Sequence, residues 1–239
     1  MTTVVNACGL TRGSAEDLAD ANVEFPRWVC EVLADTGVRL VHLGSAAEYG
    51  DPGSADPVEE STPLRPKGDY ATTKAAGSEV VLEARGAGMD ALVARVFNIV
   101  GHPIPPVSPV HQWLTDVEAL EDSGEVEVWW PPTKRDFVAL GDVAGAVVDL
   151  AMPGERPAAV NVCSGVALAY GDIVVALGGA LGVDVHVRSL DRPGIEAVVG
   201  DPTLLGDTIG WVPDMSLERL ASAVLDTSPQ PDSPHGPPT

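Results

Sequence analysis

Short apolar runs ending in small or polar residues recur through the first hundred positions: TTVVNACG (2–9), RLVHLGS (39–45) and DALVARVFN (90–98). Near-continuous hydrophobicity over so few residues marks strands buried on both faces, and segments of helical length separate these runs. The pattern predicts an α/β fold with a doubly wound parallel sheet. Between the first two runs, Leu18, Val23, Trp28 or Val29, Val32 and Leu33 follow near-helical spacing. That helix begins at the Ser14 cap signal with acidic residues behind it and stops by Gly37. A second helix begins near Asp69 and ends at GAGM (86–89).

From residue 102 the pattern loosens into HPIPPVSPVHQ, followed by an expected helix over 113–122, a strand EVEVWW and the segment RDFVALGDVAGAVVDLAM. AAVNVCSG (158–165) reads as a further strand, followed by a helix over 170–181, a strand DVHVRSL and a last helix near 216–226. Residues 1–101 are therefore expected to carry the sheet and active site, and 102–226 a small substrate-binding lobe with the remaining strands. The Pro/Ser-rich tail at 227–239 lacks periodicity and is expected to be disordered. Trp129 and Trp130 are expected in the core of the lobe.

Charge narrows the partners. With 14 Lys and Arg against 35 Asp and Glu, the formal net charge is -21, which excludes a basic patch for nucleic acid. Apolar runs are broken by Gly, Asp or Pro well short of the roughly 18 residues of a membrane helix. The opening MTTVVNACGL has neither a basic n-region nor a signal-type apolar core, which places the protein in the cytoplasm. Cys8, Cys30 and Cys163 stand far apart in apolar company and read as small buried hydrophobes. His42, His102 and His111 have no carboxylate or Cys partner at ligand spacing, so no metal is assigned to them.

The stretch LRPKGDYATTKAAGSEV (64–80) carries the candidate chemistry. Lys67, Lys74 and Lys134 are the only lysines, and one of them stands four residues after Tyr70. A helix sets Tyr70 and Lys74 on one face a turn apart, where an ammonium can act on a phenol. Such a pair more often decorates a solvated helix, so its surroundings decide.

Those surroundings match in five segments: VVNACG (4–9), GSAAEYG (44–50), YATTK (70–74), RVFNIVG (95–101) and KRDFVALGDVA (134–144). NVCSG (161–165) and VVGDPTLLGDTIGWVP (198–213) extend the likeness. In these motifs the chain resembles the extended short-chain dehydrogenase/reductases, the NAD-dependent epimerase/dehydratase family, whose members act mostly on nucleotide-activated sugars. The resemblance implies a Rossmann-like fold and NAD or NADP as cofactor. It makes Tyr70 the general acid/base and Lys74 the residue that lowers its pKa and holds a nicotinamide ribose. Ser45 falls on the serine or threonine that binds the reacting oxygen. Asn6, Ala7 and Gly9, with Tyr70 and Lys74, are implied to face the cofactor. Asn98 and Arg135 are implied to contact the nucleotide diphosphate of a nucleotide-sugar substrate, and Asn22 to support a water chain. The bland alternatives are a strand-end cap for Asn98, a surface ion pair with Asp136 for Arg135 and an ordinary polar helix residue for Asn22.

Departures from the family pattern sharpen the expectation. Ala46 and Ala47 stand where dehydratases carry acidic residues, and Glu48, offset by one in a strand-like stretch, is expected to point to the opposite side. GSAAEYG looks most like the GDP-4-keto-6-deoxymannose reductases, so reduction or epimerisation at C4 is expected in place of dehydration. Set against the resemblance, residue 1 falls in the family's fourth strand, and no G-x-x-G-x-x-G phosphate turn occurs in the sequence. A start placed too late, a fragment, or a descendant that no longer uses dinucleotide would each produce this. Dinucleotide binding by these residues alone is expected to be weak. The first strand is expected as an exposed edge open to a homodimer or a partner chain. The rival readings are a non-catalytic binding subunit and a cofactor-independent isomerase or cyclase.

Overall fold

The computed structural model describes residues 2–192 and 194–225, so the tail expected to be disordered lies outside the described residues. The chain opens with β1 (Thr3–Asn6), α1 (Ala15–Ala19), a π turn (Asp20–Glu24) and α2 (Phe25–Leu33). Then come β2 (Arg39–Ser45), a 3-10 turn (Ala46–Tyr49), α3 (Asp69–Gly86) and β3 (Ala91–Val96). The middle holds β4 (Asn98–Val100), α4 (Pro109–Glu118), β5 (Ser123–Val128), β6 (Lys134–Arg135), β7 (Phe137–Ala139), α5 (Leu140–Ala151) and β8 (Ala159–Val162). The last described part contains β9 (Leu168–Ala169), α6 (Tyr170–Leu181), β10 (Asp184–Ser189), β11 (Ala197–Val198), α7 (Thr203–Ile209) and α8 (Leu217–Leu225).

The apolar runs form one parallel sheet in the order β1-β2-β3-β8, as the doubly wound pattern requires. Alternate residues of the buried strands feed two layers. Leu40, Ala91 and Val93 pack with Val29, Cys30, Val80 and Val81 from α2 and α3. Val41, Leu92, Ala94 and Val96 face Val143, Ala146, Val147 and Leu150 of α5. Leu40 and Leu92 are fully enclosed, and truncating either to Ala costs about 2–5 kcal/mol through lost transfer energy and the cavity left behind. A third core joins α4, β5, α6 and α8 around Trp113, Val126, Ile173, Leu177 and Leu220. The carboxyl ends of β1, β2 and β3 lie along one edge of the main sheet, where open α/β sheets bind ligands.

Several local expectations fail for identifiable reasons. Ser14 caps α1 with a capping box to Asp17, as expected. The π turn then widens the helical repeat, so Leu18, Asn22, Pro26, Val29 and Cys30 face inward while Trp28 and Val32 are exposed. The helix expected over 113–122 starts earlier, with Ser108 as N-cap and Pro109 in the first turn, an arrangement hidden in a Pro-rich stretch. Alternation along β5 turns Val126 and Val128 inward, which carries Trp129 out to 64% exposure instead of into the lobe core. Cys8 lies beyond the end of β1 and is exposed, whereas Cys30 and Cys163 are buried. No described helix is long and apolar enough to cross a membrane.

Candidate active site

Ser45 is the last residue of β2, and the chain then tightens into the 3-10 turn. Gly68, at φ 81° and ψ 165°, precedes α3; its left-handed φ favours glycine and aims the first turn of the helix at the strand end. Tyr70 and Lys74 lie on α3 as the i,i+4 spacing predicts, and the Tyr70 hydroxyl donates to Ser45 Oγ at 3.3 Å. Ser45 Oγ also accepts from the Ala47 N–H at 3.2 Å. With both acceptor positions of that oxygen engaged, the Ser45 proton is the donor left for a third group.

Lys74 is buried and donates from Nζ to the Leu43 carbonyl at 2.6 Å. Burial pushes the Tyr70 hydroxyl above the usual phenol range, its hydrogen bond with Ser45 opposes that rise, and the Glu48 carboxylate adds to it. Burial likewise depresses the Lys74 ammonium, and Glu48 opposes that fall.

Asn6, Ala7, Gly9 and Asn22 separate into two groups. Asn6 is turned inward: its Nδ2 meets His42 Nδ1 at 3.1 Å and its Oδ1 accepts from the Cys8 N–H at 3.1 Å, so the side chain ties β1 to β2 and to the loop that follows. Ala7 and Gly9 are exposed in the loop after β1. A Cβ on Gly9 would lie 2.9 Å from Asn22 Oδ1 and 3.9 Å from Lys74 Nζ, which brings the bare backbone beside the ammonium. Asn22, fully buried in the π turn, accepts from the Leu10 N–H at 2.9 Å and donates to the Leu10 carbonyl at 2.9 Å and to Thr73 Oγ1 at 3.0 Å. Both its N–H groups are engaged by protein, and these bonds clamp the loop after β1 to α3. Gly9, Tyr70 and Lys74 thus form a glycine-floored cradle with a cation and a phenol, which fits the nicotinamide ribose end of a dinucleotide.

Ser45 and Tyr70 open into a cavity of 580 Å³ whose other wall includes Asn98, Ile99, Arg135 and Ile195. That volume suits a drug-sized ligand. Arg135 Nη1 donates to the Lys134 carbonyl at 2.7 Å and the Ile195 carbonyl at 3.1 Å, and its guanidinium carbon lies 5.7 Å from the Tyr170 ring centroid. The rival ion pair with Asp136 does not form, because that carboxylate is turned inward to the N–H groups of Ser164, Gly165 and Gly200. Asn98 Nδ2 donates to the Asp136 carbonyl at 2.6 Å, so Asn98 lines the cavity while tied to the neighbouring strand.

Sequence reasoning missed the layer beneath. Residues 46–49 form a 3-10 turn where a strand-like stretch was expected, and Glu48 is fully enclosed in an ion pair with Arg95 at 3.0 Å. Two signals were legible: Ser45-x-x-Glu48 has capping-box spacing, and Arg95 interrupts an otherwise apolar strand.

The model of the NAD dependent epimerase/dehydratase family matches residues 2–163. The chain belongs to this family. Among its curated relatives, it is 32% identical over 229 residues to dTDP-6-deoxy-L-talose 4-dehydrogenase (NAD(P)(+)) of Kitasatospora kifunensis, covering 91% of this chain and 72% of that one. It is 27% identical over 196 residues to GDP-6-deoxy-D-mannose reductase of Pseudomonas aeruginosa, covering 78% of this chain and 64% of that one. The fold matches the structure of RMD from Pseudomonas aeruginosa complexed with NADPH, with TM-score 0.80 at 22% identity over 93% of this chain and 80% of that one. Family membership fixes the Rossmann-like fold, and the reductase relative agrees with the likeness seen in GSAAEYG.

Proposed function

We propose that the chain carries an oxidoreductase site that works at C4 of a nucleotide-diphospho-sugar. The single observation behind this reading is the Tyr70 hydroxyl bonded to Ser45 at the mouth of a cavity whose far wall offers Asn98 and Arg135. In the reductive direction a C4 ketone gains a hydride at carbon and a proton at oxygen. A bound NAD or NADP in its reduced form supplies the hydride. Tyr70 gives the proton to the C4 oxygen and Ser45 holds that oxygen through its free O–H. Gly9 and Lys74 would hold the ribose of that dinucleotide. Arg135 and Asn98 receive the diphosphate, the guanidinium by charge-assisted bonds. Ala46 and Ala47 leave the turn beside Ser45 without a carboxylate on its cavity face, which favours C4 redox chemistry over dehydration. The 4-dehydrogenase and reductase names of the two relatives support the same reading. The test is to incubate the protein with a nucleotide-diphospho-4-keto-6-deoxyhexose and reduced nicotinamide deuterated at C4. Deuterium at sugar C4 supports the reading, and recovery of unchanged keto sugar contradicts it.

A second reading rests on the sheet edge. Among the described residues β1 pairs with β2 alone, and Val5 is 43% exposed. A second copy or a partner chain adding a strand there would make this chain a subunit that binds sugar while another completes the sheet. Light scattering that shows a monomer with full activity removes this alternative.

A further inference from the structure

Glu48 has no part in the proton transfer, yet it is a carboxylate with no exposed surface directly behind Ser45. Burying a charge is costly unless each oxygen is paired and hydrogen-bonded. Here Oε1 accepts from the Ser45 N–H at 2.8 Å and from Ser78 Oγ of α3 at 2.8 Å, while Oε2 takes Arg95 Nε of β3 at 3.0 Å. Arg95 extends the network through Nη1 to Tyr49 Oη at 3.3 Å and the Glu60 carbonyl at 3.2 Å. Tyr49 Oη in turn donates to Asn161 Oδ1 of β8 at 2.7 Å. Gly44 gives independent support. A Cβ there would lie 2.7 Å from Glu48 Oε1 and 2.9 Å from Val93, so the strand is bare where the carboxylate tucks under it.

We infer that Glu48 is a positioning residue: its carboxylate locks the Ser45 turn onto α3 and β3. The inference rests on the reading of Ser45, Tyr70 and Lys74 given above. A neutral side chain of the same length keeps an acceptor for the Ser45 N–H and Ser78 but loses the ion pair that ties the turn to Arg95 of β3. The groups around the carboxylate are Ser45 from β2, Tyr70, Lys74 and Ser78 from α3, and Arg95 from β3, and His42 of β2 feels the Lys74 charge in turn. Glu48 favours the protonated state of both Tyr70 and Lys74, so its removal moves the Tyr70 titration to lower pH.

The test uses protein labelled at tyrosine Cζ, with the Tyr70 resonance assigned by its loss in Tyr70→Phe. Glu48→Gln alone leaves Arg95 unmatched, so the variant of choice is Glu48→Gln/Arg95→Gln, in which the two amides can pair. Glu48→Asp keeps the charge and shortens the reach. In the double variant the Tyr70 titration moves to lower pH. In Glu48→Asp it stays in place, while kcat falls about tenfold or more with KM little changed, because small displacements of a reacting group are expensive. Thermal unfolding and near-ultraviolet dichroism confirm the folded state of each. A merely structural role lowers Tm in both variants and moves neither the titration nor kcat, and that result overturns the inference. Failure of the double variant to fold passes the decision to Glu48→Asp: loss of kcat supports the inference and an unchanged kcat overturns it. A moved titration in protein that turns over no nucleotide-sugar supports the Glu48 coupling and overturns the reading of the reaction. An unmoved titration in a folded double variant overturns the Glu48 assignment whatever the turnover.

Discussion

The two walls of the cavity are built differently. At the Ser45–Tyr70 wall, side chains from β2, the 3-10 turn, α3 and β3 converge on each other through Glu48 and Arg95, largely out of contact with water. At the opposite wall, Asn98 and Arg135 are bonded to main-chain carbonyls next to them, and Arg135 lies over Tyr170. One wall is fixed by mutual side-chain contacts from several elements, the other by single side chains on short strands bonded to neighbouring main chain. Proton transfer needs a fixed geometry and a controlled charge, whereas diphosphate recognition needs donors that can settle on a ligand. The difference suggests that chemistry and recognition are divided between the walls.

The sharpest way to break that comparison is Tyr70→Phe, which removes the proton and keeps the ring. Turnover of the nucleotide-sugar is expected to fall about 10² to 10⁴-fold, as for loss of a general acid; a variant within a few-fold of the parent would remove Tyr70 from the chemistry. Next in size, Arg95→Ala leaves Glu48 buried without its cation and should lower unfolding free energy by about 3–5 kcal/mol. Urea titration reads that loss, and a loss below about 1 kcal/mol would mean that the network beneath Ser45 is not fixed as drawn. Arg135→Ala on the other wall should weaken nucleoside diphosphate binding by about 1.5–3 kcal/mol with stability unchanged. Unchanged affinity in calorimetry would return Arg135 to an ordinary surface role.

The smallest effect per step is a pH slope beneath the first wall. Asn6 Nδ2 donates to His42 Nδ1, which leaves the proton on Nε2, buried without a partner in the described structure. Burial, and then the Lys74 charge, lower the His42 pKa from 6.5 to about 3. The unfolded chain takes up this proton near pH 6.5 and the folded chain does not. The stability contribution is therefore fully present above pH 6.5 and is lost as the pH falls toward about 3, at about 1.4 kcal/mol per unit for this one site. His42→Leu should flatten that part of the acid limb in denaturant titrations, and an unchanged slope would assign the loss to other groups.

What the sequence made legible follows the same division. The sheet could be read because doubly buried parallel strands are written as contiguous apolar runs, and α3 because Tyr70 and Lys74 need only helical spacing. Ser45 and Tyr70 come together as the family likeness implied. Glu48 points away from the cavity as expected, but its turn and partners were hidden because a capping box and a strand end share the same short stretch, and only the fold shows the turn closing over Ser78 and Arg95. Cooperation between Asn98, Arg135 and Ile195 leaves no local signature, since short strands far apart in sequence and their pairing set their approach. The π turn carried no signal in periodicity, and its extra residue redirected Trp28 and Val32 to the surface. Asn22 had a polar side chain that sequence alone could not connect to Leu10, whose backbone it holds.

The division of labour between the walls is tested most directly by calorimetry with one nucleoside diphosphate on Tyr70→Phe, Arg135→Ala and the parent protein. Tyr70→Phe should bind within about twofold of the parent and Arg135→Ala about tenfold or more weaker, the equivalent of at least 1.4 kcal/mol. Equal losses of affinity in the two variants, or a loss confined to Tyr70→Phe, would contradict it.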